Sequence, residues 1–198
     1  MVRVGIIELQ GDFLEHEQIL RELGVETVRI KGPNDLRSVD ALVIPGGEST
    51  VIGRLMVRSG LIDAVRELSR GGMPIMGTCA GAILLAKKVT DRVVGETNQP
   101  TLALMDITVV RNYFGRQRDS FIARVRIEDV GEVEAAFIRA PAIVGAEGDA
   151  RITGFIEHPR VGKVGVSATQ RNMIALTFHP EITGDTKVYK YFINLVRK

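Results

Sequence analysis

The chain has a single cysteine in 198 residues, which excludes an internal disulfide framework and, with only three histidines, argues against a structural zinc site. No apolar stretch approaches the roughly 18 residues that a membrane-crossing helix needs. The run Met1 to Glu8 begins directly with a strand-like pattern and lacks the charged, apolar and cleavage regions of a signal peptide. Charge of one sign is gathered nowhere. The 26 basic residues are scattered among 24 acidic ones for a net charge of +2, so neither nucleic acid nor a membrane is expected as a partner. These absences fit a reducing, cytoplasmic setting.

What is present is a hydrophobic fraction of 45%, enough to bury a core, and neither an internal repeat, a low-complexity tract nor a linker interrupts it. One domain spanning 1–198 is expected. The first half alternates strand and helix patterns: strands at Val2 to Leu9, Glu26 to Ile30, Ala41 to Ile44 and Pro74 to Gly77, with helices at Phe13 to Leu23 and Leu61 to Arg70. Ser49 is placed to cap a further helix that carries Ile52, Leu55 and Met56 on one face. The second half changes character. Phe121, Ala123, Val125 and Ile127 alternate with more polar neighbours, which predicts a half-exposed strand with that set inward. Short strands are expected near Ile107 to Arg111, Ala135 to Ile138, Ile152 to Ile156, Val164 to Ala168 and Met173 to Phe178, with a hairpin at Gln170-Arg171-Asn172. A last amphipathic helix from about Thr186 buries Val188, Phe192 and Leu195. The expected fold is α/β: a mostly parallel central sheet flanked by helices, with added antiparallel strands in the second half and ligands at the C-terminal strand ends.

Cys79 stands in Gly77-Thr78-Cys79-Ala80-Gly81, between the apolar run Pro74-Ile75-Met76 and the helix-like run Ala82 to Ala86. A strand, a sharp turn and a helix make a nucleophile elbow, whose glycines let other chain segments approach closely. The dipole of the following helix favours thiolate over thiol. A catalytic thiol needs a base, and His179 is the best placed histidine, because His179-Pro180-Glu181 follows a strand-like run and Glu181 can hold the imidazole tautomer. An extended chain would point His179 and Glu181 the same way. His16, between Glu15 and Glu17, reads as a solvated surface residue, and His158 lies in a loop before Pro159. Paired glycines in Pro45-Gly46-Gly47-Glu48-Ser49-Thr50 expose amide groups at a strand end, so the amides of Gly47 and Ala80 are the candidate oxyanion hole.

Together, Pro45 to Thr50, Gly77 to Gly81 and His179-Pro180-Glu181 resemble the class I (triad) glutamine amidotransferases. Leu9-Gln10-Gly11, Arg111 to Gln117, Asp119-Ser120-Phe121 and Phe137 to Pro141 narrow the likeness to the family of glutaminase subunits of pyridoxal 5'-phosphate synthases. The resemblance runs the length of the chain, and Glu8 departs from it where a small or apolar residue is expected. It implies that Cys79 is the nucleophile, that His179 and Glu181 complete the triad, and that Gly47, Glu48, Ser49, Arg111, Ile138 and Arg139 contact L-glutamine. Arginine suits the carboxylate of a free amino acid and Glu48 suits its ammonium. The resemblance further implies a (β/α)8-barrel synthase subunit as partner in a hetero-oligomer, to which ammonia is delivered and whose docking organises the oxyanion hole. The hydrolytic chemistry itself needs neither a metal nor an organic cofactor. A cysteine peptidase on a similar sheet, a catalytically silent regulatory subunit and an amidotransferase of another pathway are the competing readings.

Overall fold

The computed structural model describes residues 2–197; Met1 and Lys198, the ends of the expected span, lie outside the described residues. In chain order the first half holds β1 (Arg3–Ile7), α1 (Phe13–Glu22), β2 (Glu26–Ile30), β3 (Ala41–Ile44), α2 (Ser49–Ser59), α3 (Leu61–Arg70), β4 (Ile75–Thr78) and α4 (Ala80–Leu85). There follow β5 (Ala86–Asp91), β6 (Gly95–Glu96), β7 (Met105–Arg111), β8 (Phe121–Ile127), β9 (Gly131–Phe137), β10 (Ala142–Ala146), β11 (Arg151–His158), β12 (Gly162–Gln170) and β13 (Met173–Leu176). The helices α5 (Pro180–Thr183) and α6 (Lys187–Val196) close the order.

Parallel pairing joins β2, β1, β3, β4 and β13 in that spatial order. The inner strands β1, β3, β4 and β13 are short, largely apolar runs because both faces of the sheet are covered there, whereas the edge strand β2 buries only Ile30. On one face Leu42 and Ile44 of β3 pack with Ile52 and Met56 of α2, Val65 of α3 and Leu84 of α4. On the other, Ala41 and Val43 pack with Leu20 of α1 and with Tyr189 and Phe192 of α6. Fully burying one such Leu, Ile or Phe contributes about 1.5–3 kcal/mol. From β13 the sheet continues antiparallel into β12 through the turn Arg171-Asn172, then to β10 and β7, with β5 parallel to β7 and β6 at the edge. Strands β11, β8 and β9 form an antiparallel wing attached to β12. The expected α/β architecture, with its parallel half and its antiparallel additions, is the one observed. Within β8, Val125 and Ile127 are buried and their neighbours Arg124 and Arg126 exposed, as the alternation predicts. Among the described residues no helix is long and apolar enough to cross a membrane.

Several boundaries differ from the sequence reading for physical reasons. The helix after Cys79 ends at Leu85, and Ala86 begins β5 directly. That strand is masked in the sequence by Lys87 and Lys88, which are exposed and pair with Asp106 and Glu147. The small residues of β10 carry no alternation and contain a bulge. The strand expected to reach Phe178 stops at Leu176, and Ile138 lies just beyond the end of β9. In α6 Tyr189 and Ile193 share the buried face with Val188 and Phe192, while Leu195 is half-buried.

The largest correction concerns His16. It is fully buried, not solvated, because the inward face of α1 is formed by residues 16, 17, 19 and 20. Glu17, also buried, is held by Arg29 and Arg21 at 2.7 and 2.9 Å.

Candidate active site

Strand register brings the thiol and the imidazole together. In the adjacent parallel strands β4 and β13, Thr78 lies opposite Leu176, and the Cys79 amide donates to the Leu176 carbonyl at 2.8 Å. Cys79 therefore follows one strand end and His179 the next. The His179 amide in turn donates to the Ala136 carbonyl at 2.9 Å, which pins the histidine to the tip of β9 and carries Ile138 and Arg139 to the same place. On the other side of β4, Ile44 lies opposite Gly77, so Pro45-Gly46-Gly47 emerges beside the elbow.

The elbow is strained. Cys79 has φ 46° and ψ −100°, outside the regions open to most side chains. Both flanking glycines are sterically required: a Cβ on Gly81 would stand 2.1 Å from the Ile44 carbonyl oxygen, and one on Gly77 would stand 2.6 Å from the backbone of Gly81. Ala80, first residue of α4, is fully buried behind the thiol.

Around Cys79 lies a pocket of about 170 Å³ lined by Gly47, Glu48, Ser49, Arg111, Ile138, Arg139 and His179, with Asp12, Ile83, Asn112 and Gln117. Of the predicted triad, oxyanion-hole and glutamine-contacting residues, only Ala80 and Glu181 are not on its wall. Glu181 sits behind His179, whose Nδ1 is 2.6 Å from its Oε1. It reaches that position from the short helix α5 rather than from an extended strand. His158 is elsewhere, packed edge-on against Phe114.

Asp12 is a member the sequence reading missed. Its Oδ2 approaches the same His179 Nδ1 at 3.3 Å, so the imidazole faces two carboxylates and a thiol. Burial disfavours the imidazolium, but hydrogen bonding to Asp12, Cys79 and Glu181 outweighs it and the His179 pKa is pushed up to about 12. Reciprocally, the bond with His179 holds the Asp12 carboxyl below its ordinary value. Asp12, His179 and Glu181 each offer one donor atom within 4.8 Å of the others. A metal would need each donor at about 2.0–2.2 Å. The 2.6 Å separation of His179 Nδ1 and Glu181 Oε1 is that of a charge-assisted hydrogen bond.

The opposite wall holds Arg111, at the end of β7. Its guanidinium donates to Gln99 Oε1 and, at 3.1 Å, to Thr50 Oγ1, while Glu48 Oε1 and Asp91 Oδ2 stand 3.5 and 3.6 Å away. Burial works against the Asp91 charge, yet the amides of Val93 and Val94, the Asn112 amide group and Arg111 hold its carboxyl below the ordinary value. Gln99, in the loop before β7, is a hub that no sequence pattern marks. Ser49 directs its hydroxyl to Gln99 Oε1 at 3.3 Å; it is the first residue of α2 and makes no cap. The loop carrying Gln10, Gly11 and Asp12 packs against the strand end of β3: Gln10 Oε1 accepts from the Glu48 amide at 2.7 Å, and the Asp12 amide donates to the Gly46 carbonyl at 3.2 Å. Gly47, at φ +144°, adopts backbone that only glycine takes readily.

The fold, with an elbow thiol beside a buried histidine–carboxylate pair, places the chain in the class of glutamine amidotransferases. A crystal structure of a glutamine amidotransferase superposes with a TM-score of 0.89 at 37% identity, over 98% of this chain and 99% of that one. A glutamine amidotransferase from Thermotoga maritima shares the fold at 15% identity, with a TM-score of 0.61 over 98% and 84% of the two chains. More particularly, the chain belongs to the SNO glutamine amidotransferase family, whose model matches residues 6–198. It is 57% identical to the pyridoxal 5'-phosphate synthase subunit PdxT of Hyperthermus butylicus, over 98% of this chain and 96% of that one. With the PdxT of Sulfurisphaera tokodaii the identity is 44%, over the whole of both.

Proposed function

We infer that the protein is a glutaminase: it hydrolyses the side-chain amide of L-glutamine and passes the ammonia to the synthase subunit of pyridoxal 5'-phosphate synthase. The observation that carries this reading is the meeting of Cys79 and His179 at adjacent strand ends, in a pocket sized for a single amino acid and walled by Glu48, Arg111 and Arg139. The kinship with PdxT chains supplies the pathway.

In this mechanism the Cys79 thiolate attacks the carboxamide carbon of glutamine, and the negative oxygen is held by the amides of Gly47 and Ala80. Each such donor is worth about 3 kcal/mol in the transition state. The His179 imidazolium gives its proton to the departing nitrogen, ammonia leaves, and a γ-glutamyl thioester remains on Cys79. His179, now neutral, takes a proton from water as the hydroxyl attacks the thioester carbon. Collapse releases glutamate and restores the thiolate–imidazolium pair. Glu181 holds the imidazole by Nδ1 throughout, so that Nε2 serves the reacting atoms. Glu48 takes the substrate ammonium, Arg111 and Arg139 its carboxylate, and Ser49 and Ile138 complete the wall. No step draws on a metal or an organic cofactor.

The partner is a (β/α)8-barrel subunit in a cytoplasmic hetero-oligomer, and its docking completes the oxyanion hole around Gly47. Ammonia release from glutamine, measured with and without that subunit, tests the reading. Wild type is expected to be active chiefly with the partner and Cys79→Ala inactive in both conditions. Glutamine left intact by the assembled complex, or casein cleaved in its place, contradicts it.

A further inference from the structure

Behind the candidate triad lies a polar cluster that the chemistry described so far does not use. His16 and Tyr189 are both 0% exposed, in a layer otherwise built of Leu20, Val43, Leu176 and Phe192. Such groups are costly to bury unless their hydrogen bonds are made. The Tyr189 hydroxyl is 2.7 Å from His16 Nδ1, and His16 Nε2 is 3.0 Å from Thr78 Oγ1, one residue before the thiol. The same Nε2 stands 3.6 Å from Oε2 of Glu181. That oxygen is buried and among the described residues has no hydrogen-bond partner, although the other oxygen of the carboxylate bonds His179.

The hydrogen-bond roles follow from this arrangement. A buried phenol must donate its proton, and among the described residues its one partner is Nδ1 of His16, so Nδ1 accepts. A neutral His16 then carries its hydrogen on Nε2, between Thr78 Oγ1 and Glu181 Oε2. Burial keeps His16 neutral against the pull of Glu181, and burial together with the Glu181 charge keeps Tyr189 protonated.

We propose that His16 is a positioning residue for glutamine hydrolysis: its Nε2–H, fixed in that tautomer by Tyr189, faces Oε2 of Glu181 and holds the carboxylate aligned on His179. The proposal rests on the triad reading above. The need for such a group is greatest after the first half-reaction. When His179 has given its proton to ammonia, the cation that faced Glu181 is gone, and the His16 Nε2–H dipole still faces its free oxygen at 3.6 Å. The groups facing His179 are Cys79 from the elbow, Asp12 from the loop before α1 and Glu181 from α5; those acting on His16 are Glu181, His179, Asp12 and Glu15.

The test compares wild type, His16→Asn, His16→Gln, Tyr189→Phe and Cys79→Ala, each assembled with the synthase subunit, by kcat, KM and the pH profile of kcat. Gln places an N–H near the Nε2 position, whereas Asn does not reach it. His16→Asn is expected to lower kcat by about 10–100-fold with little change in KM. With Glu181 less firmly aligned, His179 loses part of the hydrogen bond that holds its proton and gives it up more easily, so the alkaline limb of the profile moves to lower pH. His16→Gln restores both toward wild type, and Tyr189→Phe moves the limb in the same direction as Asn. A folded His16→Asn with wild-type kcat and limb overturns the proposal. If His16→Asn does not fold, a Tyr189→Phe enzyme with an unmoved alkaline limb overturns it equally. Activity retained by Cys79→Ala would instead remove the triad reading itself.

Discussion

Gly46 contributes to the site by having no side chain. A Cβ there would stand 2.4 Å from Cε1 of His179 and 2.9 Å from Oδ2 of Asp12, so even a methyl group must displace the imidazole. Gly46→Ala is therefore expected to lower kcat about 100-fold, since a misplacement on the order of 1 Å costs that much. Its Tm should stay close to wild type, because the side chain that moves borders the pocket. Steady-state kinetics beside a thermal melt checks this, and a kcat near wild type would show that His179 tolerates the shift. Gly81 differs: its Cβ would meet the Ile44 carbonyl oxygen at 2.1 Å, backbone against backbone, so Gly81→Ala should lose stability by about 1–3 kcal/mol or more. The glycines around Cys79 were legible as steric requirements because an elbow is a local pattern. The role of Gly46 against His179 was not, since it depends on a contact between strand ends 133 positions apart. Asp12 was hidden for the same reason.

Elements decide which of the predicted residues meet. The parallel half was readable because strands covered on both faces become unbroken apolar runs, as in Ala41 to Ile44 and Ile75 to Thr78. Strand β5 was not, because its exposed lysines imitate a loop, and neither was the pairing of β4 with β13, which only the tertiary fold dictates. His16 did leave a signal: three and four residues before Ile19 and Leu20, it lies on the face that α1 buries. The loop carrying Gln99 left none. It is pressed on α2, where a Cβ on Gly53 would stand 2.5 Å from the Pro100 carbonyl oxygen, and it presents Oε1 to Arg111, Ser49 and Thr50. Gln99→Leu removes that acceptor and frees the guanidinium to move. We expect KM for glutamine to rise about tenfold with a smaller change in kcat, which titration of glutamine at a fixed enzyme concentration measures. An unchanged KM would mean that Thr50, Asp91 and Glu48 suffice to hold Arg111 in place.

Across the whole molecule, two histidines of opposite character shape stability against pH. His179 has a folded pKa raised above 6.5, so its contribution is full below that value and is lost as pH rises toward about 12. For His16 the folded pKa is lowered from 6.5, so below that value the unfolded chain binds a proton that the folded protein refuses, and stability falls as pH falls. Urea denaturation between pH 5 and 9 should accordingly pass through a maximum near 6.5, the unperturbed value of both groups. His16→Asn should flatten the acid side and His179→Gln the alkaline side; the reverse assignment would refute the charge states given to the two rings. The most direct test of the whole account is to quench the partner-bound enzyme during turnover of isotopically labelled glutamine and locate the label by peptide mass spectrometry. The account predicts a γ-glutamyl group on Cys79, released by hydroxylamine and absent from Cys79→Ala. Ammonia produced at the full rate with no label on Cys79, or by Cys79→Ala, would contradict it.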